Sequence, residues 1–332
     1  MNQTVTLAHG SGGKQTSRLI EKIFKKHFDN PYLTADDAAV LPVVHGKLAM
    51  STDSFIVSPA FFNGGNIGKL AVCGTVNDLA CMGAKPLYMT CGFVIEEGFS
   101  IQDLETVVCA MADTAREVGI QIVAGDTKVA GKGQVDGIFI NTTGVGQIPE
   151  GKNLSGANAR NGDVILVTGD VGRHGCTILL ERDDYGIDAD VKSDCAPLWE
   201  EVKAVQEADV HVIRDATRGG VGTVLYEIAH QSNLGVRLFY EDVPVQGAVK
   251  GVCGLLGLEP LYLACEGTMV MIVSPEDAQS VLHALKQCPH GQNAAIIGEM
   301  TDAYPQRVVM KTEIGAETIL PEPGNELLPR IC

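Results

Sequence analysis

Five short polar contexts set carboxylates inside otherwise apolar stretches: Asp36-Asp37-Ala-Ala-Val40, Ser51-Thr-Asp53-Ser54, Asn77-Asp78, Gly125-Asp126-Thr127-Lys128 and Asp215-Ala-Thr-Arg218-Gly-Gly220. A carboxylate at a strand end or on an apolar helix is costly unless it is paired or binds a cation. Mg²⁺ suits such a set, because it takes oxygen ligands, keeps waters and bridges to phosphates. Read singly, each acid is a turn residue or a helix cap. Together they weaken that reading, although spacing alone does not prove a metal site. The second reactive feature is the last residue, Cys332. The stretch Pro321 to Cys332 holds three prolines and one glycine, which disfavours helix and central strand. Twelve extended residues carry a sulfur about 40 Å, so the thiol is placed like a carrier group.

The elements that must position these groups read as mixed α and β. Residues 14–28 put Leu19, Ile20, Ile23, Phe24 and Phe28 on one helical stripe. Residues 38–44 and 47–51 read as a strand pair turning at His45-Gly46, and 66–82 as a buried helix. Ser100 caps a helix that stops at Gly119, between strands at 87–95 and 120–124, and a further strand covers 137–146. A polar, Gly- and Asn-rich stretch at 149–162 places a domain boundary near 155. Beyond it come helices near 175–182, 195–208 and 219–232, a strand at 235–240, and a short helix at 248–256. A strand at 269–273, a helix at 275–287 and closing strands complete the order. Helices and strands interleave without a clean βαβ repeat, an α+β pattern. Gly172-Arg-His174-Gly175 reads either as an active-site turn or as a helix start.

Composition excludes several classes. The chain has 332 residues, 45% hydrophobic and 20% charged, which describes two ordinary cores rather than disorder. A net charge of −16 argues against a nucleic-acid partner. No apolar run approaches membrane-helix length, and the first residues lack an export signal, so the expected location is the cytoplasm. The ten cysteines form no C-x-x-C pair and no Cys/His group has zinc spacing. Gly10-Ser11-Gly12-Gly13-Lys14 looks like a phosphate loop, but it lacks the glycine five before Gly13 and the Ser/Thr after Lys14.

The combination of Leu7-Ala-His-Gly-Ser-Gly-Gly-Lys14, Ser51-Thr-Asp-Ser54, Gly64-Gly-Asn-Ile-Gly-Lys69, Gly125-Asp-Thr-Lys128, Arg214-Asp-Ala-Thr-Arg-Gly-Gly220 and the ending Pro-Arg-Ile-Cys332 closely resembles the HypE family of hydrogenase maturation proteins. The resemblance covers essentially the whole chain. More broadly the chain resembles the PurM-like ATP-binding superfamily, with aminoimidazole ribonucleotide synthetase, selenophosphate synthetase and thiamine-monophosphate kinase. It implies an α+β two-domain fold: residues 1–154 an ATP-binding domain that dimerises through its sheet, 155–320 a mixed α/β domain, and 321–332 a mobile tail.

The resemblance also implies the chemistry. A carbamoyltransferase, HypF, loads a carbamoyl group on the terminal thiol, ATP phosphorylates its oxygen, and loss of phosphate leaves a thiocyanate. The cyanide passes to iron on a HypC–HypD scaffold. The catalytic group is then Cys332, Glu266 and Lys128, with Mg²⁺ held among Asp37, Asp53, Asp78, Asp126 and Asp215. Gly10, Ser11, Gly12, Gly13, Lys14, Asn77, Thr127 and Arg218 are the expected ATP contacts. A selenophosphate-synthetase-like phosphotransferase is the alternative within the fold; Ser11 stands where that family has Cys or selenocysteine. A maturation scaffold without chemistry is the alternative outside it.

Overall fold

The structure is a computed structural model that describes residues 4–11, 13–34, 38–182, 185–312 and 315–322. Gly12, Asp37 and Cys332 therefore lie outside the described residues. The chain opens with α1 (Lys14–Leu19), a π-helical stretch (Ile20–Lys25) and α2 (Lys26–Phe28). Leu19, Ile23, Phe24 and Phe28 are buried as expected, but Ile20 is 37% exposed. The wide π turn breaks the 3.6-residue spacing and swings that side chain out of the stripe.

Next come β1 (Lys47–Phe55), the short β2 (Phe61–Phe62) and β3 (Gly65–Asn66), α3 (Ile67–Cys81), β4 (Lys85–Glu96), α4 (Ile101–Val118), β5 (Gln121–Ala130) and β6 (Ile138–Ile148). The four long strands form one sheet in the order β1-β6-β4-β5. The expected strand at 38–44 is absent: Val40 and Val43 are each 86% exposed, and Pro42 has no N–H for a ladder. β1 pairs instead with β6, Lys47 opposite Ile148. β4-α4-β5 is a parallel crossover, a βαβ unit that the sequence pattern did not resolve. Ser100 Oγ accepts from Asp103 N–H at the start of α4, and Gly119 closes it at φ +81°. α3 is buried almost all round and is capped by Asn66, whose Oδ1 accepts from the N–H groups of Gly68 and Lys69.

The remaining elements are β7 (Val164–Val167), α5 (Arg173–Glu181), α6 (Trp199–Ala204), β8 (Val210–Asp215), α7 (Gly220–Ser232), β9 (Gly235–Phe239), α8 (Gly247–Leu256), β10 (Met269–Val273), α9 (Ala278–Lys286), β11 (Ala295–Thr301), β12 (Val308–Lys311) and β13 (Glu317–Ile319). Their strands make a second sheet, β13-β12-β9-β11-β7-β10-β8. The long helix expected at 195–208 contracts to α6, because Pro197 interrupts its start and the preceding loop bonds to α3. β8 had no counterpart in the sequence reading, although Val210, Val212 and Ile213 stand within it. One buried cluster joins α3, β4 and α4 to Leu198, Trp199, Met271 and Leu285, so the two sheets share a continuous core.

Candidate active site

The residues singled out by sequence fall into two groups. In the first, Asp53 stands near the end of β1, Asp78 in the last turn of α3 and Asp215 at the end of β8. Ser51 donates its hydroxyl hydrogen to Asp78 Oδ2. Backbone bonds from Ala216 N–H to Thr268 O and from Cys265 N–H to Ala216 O, at 3.0 and 2.9 Å, seat Glu266 beside Asp215. Glu266 is 4% exposed, and its carboxyl group accepts no hydrogen bond among the described residues. Its backbone oxygen accepts from Ala196 N–H at 3.3 Å and from Asn77 Nδ2 at 3.4 Å. Asn77 Nδ2 also donates to Ala196 O at 3.1 Å, and its Oδ1 accepts from Leu198 N–H at 2.8 Å. The Asn77 amide thus spans the two halves and fixes the Glu266 backbone.

Burial raises the pKa of all four acids. Asp53 is pushed up by desolvation and then by Asp78, with Arg218 opposing. Asp78 is raised by desolvation against Ser51, Arg214 and Arg218. Asp215 reaches about 7 through desolvation and the Asp78 charge. Glu266 lies well above the usual carboxylate range, first from desolvation and then from Cys195, Asp194, Asp215 and Asp53. The group is short of positive charge, and Arg214 is itself paired with Glu227. Such a pocket favours a cation, which would hold these acids ionised. Among the described residues no three His, Cys, Asp or Glu side chains converge enough to hold a metal by themselves. Asp194 was missed by the sequence reading. It is half-buried and accepts from His174 N–H and Gly267 N–H, each at 3.0 Å. Its setting, Ser193-Asp194-Cys195-Ala196, is an acid in a short polar context like the other five.

The second group lies on β5. A Cβ on Gly10 would stand 2.7 Å from Val129 N, so a glycine is what lets the Gly10–Lys14 loop rest on this strand. Ser11 Oγ donates to Ala8 O at 3.2 Å, and Gly13 precedes α1, which starts at Lys14. Lys128 Nζ is 2.8 Å from Asp126 Oδ2, and this bond holds Asp126 below the usual carboxylate range. Asp126 and Thr127 line a cavity of about 450 Å³ with Thr16, Ser17, Phe24 and Phe93, a volume suited to a small ligand. Thr34 and Ala38, which flank Asp36-Asp37 in sequence, line it too.

One chain does not bring the groups together. β1 and β5 are opposite edges of the sheet, about 14 Å apart over three strand spacings. Asp126 lies in the cross-strand row of Gly92, Asn141 and Ser54, so alternation puts Asp53 on the other face. Lys128 and Glu266, expected together in the catalytic group, are therefore apart within the chain, and Lys128 pairs with Asp126. Gly172 begins α5, which settles Gly172-Arg-His174 as a helix start with His174 buried.

Residues 35–148 match the family of AIR synthase related proteins through its N-terminal domain, and residues 160–311 through its C-terminal domain. The fold is that of this two-domain class. Carbamoyl dehydratase HypE of Azotobacter vinelandii is 44% identical over 334 residues, covering 100% of this chain and 98% of the relative. A crystal structure of hydrogenase maturation protein HypE in complex with ATP superposes with a TM-score of 0.94 at 48% identity, covering 99% of this chain and 100% of that one. A HypE from a crystal structure of a HypE–HypF complex gives 0.81 at 45% identity, over 92% and 99%. The chain belongs to the HypE family of carbamoyl dehydratases in hydrogenase maturation. Among the described residues no helix is long and apolar enough to cross a membrane.

Proposed function

We propose that the chain converts an S-carbamoyl group on its own Cys332 to a thiocyanate at the expense of ATP. The carbamoyl oxygen takes the γ-phosphoryl group; the nitrogen then loses its protons as the C–O bond breaks, giving S–C≡N, ADP and phosphate. Glu266 is the base: a buried carboxyl whose pKa desolvation raises, without a hydrogen-bond partner among the described residues, is more basic than an ordinary carboxylate once ionised. Arg218 opposes charge at the same acids, a role suited to transferring phosphate. Asp53, Asp78 and Asp215 are the residues that would hold Mg²⁺, whose hard-oxygen preference their carboxylates suit. The ion supplies charge neutralisation at the phosphates. Asp37 is the further candidate; Thr34 and Ala38, which flank Asp36-Asp37 in sequence, line the 450 Å³ cavity.

The separation of the two groups supports a homodimer. The outer face of the first sheet leaves Leu48 and Met50 57% and 74% exposed, an apolar surface that a second copy would cover. Face-to-face packing about a two-fold axis sets one chain's β5 edge against the other's β1 edge. Gly10–Lys14, Asp126, Thr127 and Lys128 of one subunit would then complete the acid group of its partner. We divide the chain as 1–154, 155–320 and a carrier tail at 321–332, with the two sheets falling on either side of the first division. By analogy with the HypE–HypF complex, HypF is the proposed carbamoyl donor. A HypC–HypD complex is the proposed cyanide acceptor and the cytoplasm the proposed compartment.

The observation that carries this reading is the buried Glu266 carboxyl beside Asp215, without a hydrogen-bond partner among the described residues, in a chain 44% identical to a carbamoyl dehydratase HypE. Peptide mass spectrometry tests it. The C-terminal peptide should gain about 43 Da with HypF and its carbamoyl precursor, then fall to about 25 Da above the thiol with ATP and Mg²⁺. An unmodified Cys332 under both conditions defeats the proposal.

A further inference from the structure

Three successive residues, Leu320 to Glu322, are held to the fold at the start of the proposed carrier tail. Leu320 is 1% exposed and its N–H donates to Val308 O at 2.9 Å. Tyr226 Oη donates to the carbonyl of Leu320, and Tyr262 Oη to that of Pro321. Pro321 has no N–H, so its carbonyl is its only backbone hydrogen-bonding group. His230 Nε2 then stands 3.1 Å from Glu322 Oε1 at the surface. Burial pushes Tyr262 up to about 12 and raises Tyr226 as well, which keeps both phenols in the donor form.

The two tyrosines sit on elements that also carry the site. Tyr226 lies six residues into α7, about 9 Å along the helix from Gly220. That helix starts two residues after Arg218. Tyr262 lies four residues before Glu266. The two elements are pressed together: Gly220 has φ +61°, and a Cβ there would stand 2.5 Å from both Leu261 O and Leu263 O. The root of the tail is thus fastened to the scaffold that holds Asp215, Arg218 and Glu266.

We propose that Tyr226 and Tyr262 are positioning residues that clamp the root of the carrier tail to the active-site scaffold and so set the tether of Cys332 at about ten residues. This rests on the carrier role proposed above for Cys332. Ten residues extend at most about 35 Å. The path from the clamp to Glu266 along α7 and residues 262–266 is on the order of 15–20 Å, so this tether reaches the site. Without the hydroxyls the next hold is the buried Leu320 with its bond to Val308 O, backed only by β13, an edge strand exposed at all three positions. If it strips from β12 as well, the tether grows to about twenty residues, and the thiol is diluted at the site about threefold.

The test compares Tyr226→Phe/Tyr262→Phe with wild type in two single-turnover assays containing ATP and Mg²⁺. In cis, the full chain loaded at Cys332 is followed to thiocyanate by mass spectrometry. In trans, the full chain with Cys332→Ala, in each background, acts on a synthetic S-carbamoyl peptide ending Leu-Pro-Arg-Ile-Cys. The clamp predicts a cis rate lowered about threefold with trans kcat/KM unchanged, so that effective molarity falls by the same factor. Equal cis rates, or equal losses in cis and trans, overturn it: the hydroxyls would then be dispensable or merely structural. A loaded wild-type chain that yields no thiocyanate defeats the carrier role itself, and the clamp with it.

Discussion

At the scale of residues, the working unit is a set of acids whose pKa values are raised by burial and, for most of them, by one another's charge. Glu266 has the extreme position, since its charged neighbours include Asp194, Asp215 and Asp53, and its carboxyl makes no protein hydrogen bond among the described residues. Glu266→Gln keeps the shape and removes the base. We expect carbamoyl loading of Cys332 to continue while thiocyanate formation falls at least about a hundredfold, followed by mass spectrometry of the C-terminal peptide. In the wild type the rate should climb with pH as Glu266 ionises, and the residual rate of the variant should lose that limb. A variant retaining wild-type turnover would remove Glu266 from the mechanism.

At the scale of elements, α5 shows what burial costs the fold. His174 is wholly buried; its ring stands edge-on to Phe62 with centroids 5.3 Å apart, and its Nδ1 is 2.9 Å from Ser193 Oγ. Its Nε2 has no hydrogen-bond partner among the described residues. Desolvation lowers its pKa to about 3, against an ordinary 6.5. The unfolded chain therefore binds the proton first, so this stability is complete above about pH 6.5 and is lost as pH falls toward 3. The loss is on the order of 5 kcal/mol at the acid end. Thermal unfolding of wild type and His174→Gln between pH 7 and 4 should show a shallower fall of Tm in the variant. Parallel curves would mean that His174 contributes nothing to acid sensitivity.

At the scale of the whole molecule, the opposite-edge placement of Asp53 and Asp126 makes a sharp demand. If each site is built from two chains, Asp53→Asn and Asp126→Asn should each be inactive alone. Mixed in equal amounts and allowed to exchange subunits, they should recover about a quarter of wild-type activity. Half of the dimers are then heterodimers, each with one intact site and one doubly altered site. Turnover of the mixture, read beside a native mass spectrum that confirms exchange, decides it. No recovery after exchange would place both acids in the site of one chain.

Local patterns were legible where a side chain carries its own reason. Ser100 and Gly119 bracket α4, Asn66 caps the buried α3, and the apolar run at 269–273 is a central strand. These depend on capping, backbone freedom and burial, which neighbours in sequence disclose. The five acidic contexts and the glycine loop were likewise visible as residues out of place among apolar neighbours. The 38–44 strand, the continuous 14–28 helix and the missing β8 were not, because pairing partners and a π turn are settled by distant chain. What the sequence by itself determined is therefore the inventory: a HypE-family chain and the acids, glycines and Cys332 thiol available to it. Only the tertiary structure decided the grouping. β-sheet order sent Asp126 and Lys128 to one edge and Asp53 to the other, while the β8–β10 ladder buried Glu266 against Asp215. Distances and solvation across a sheet depend on which strands pair, and no spacing along the chain records that.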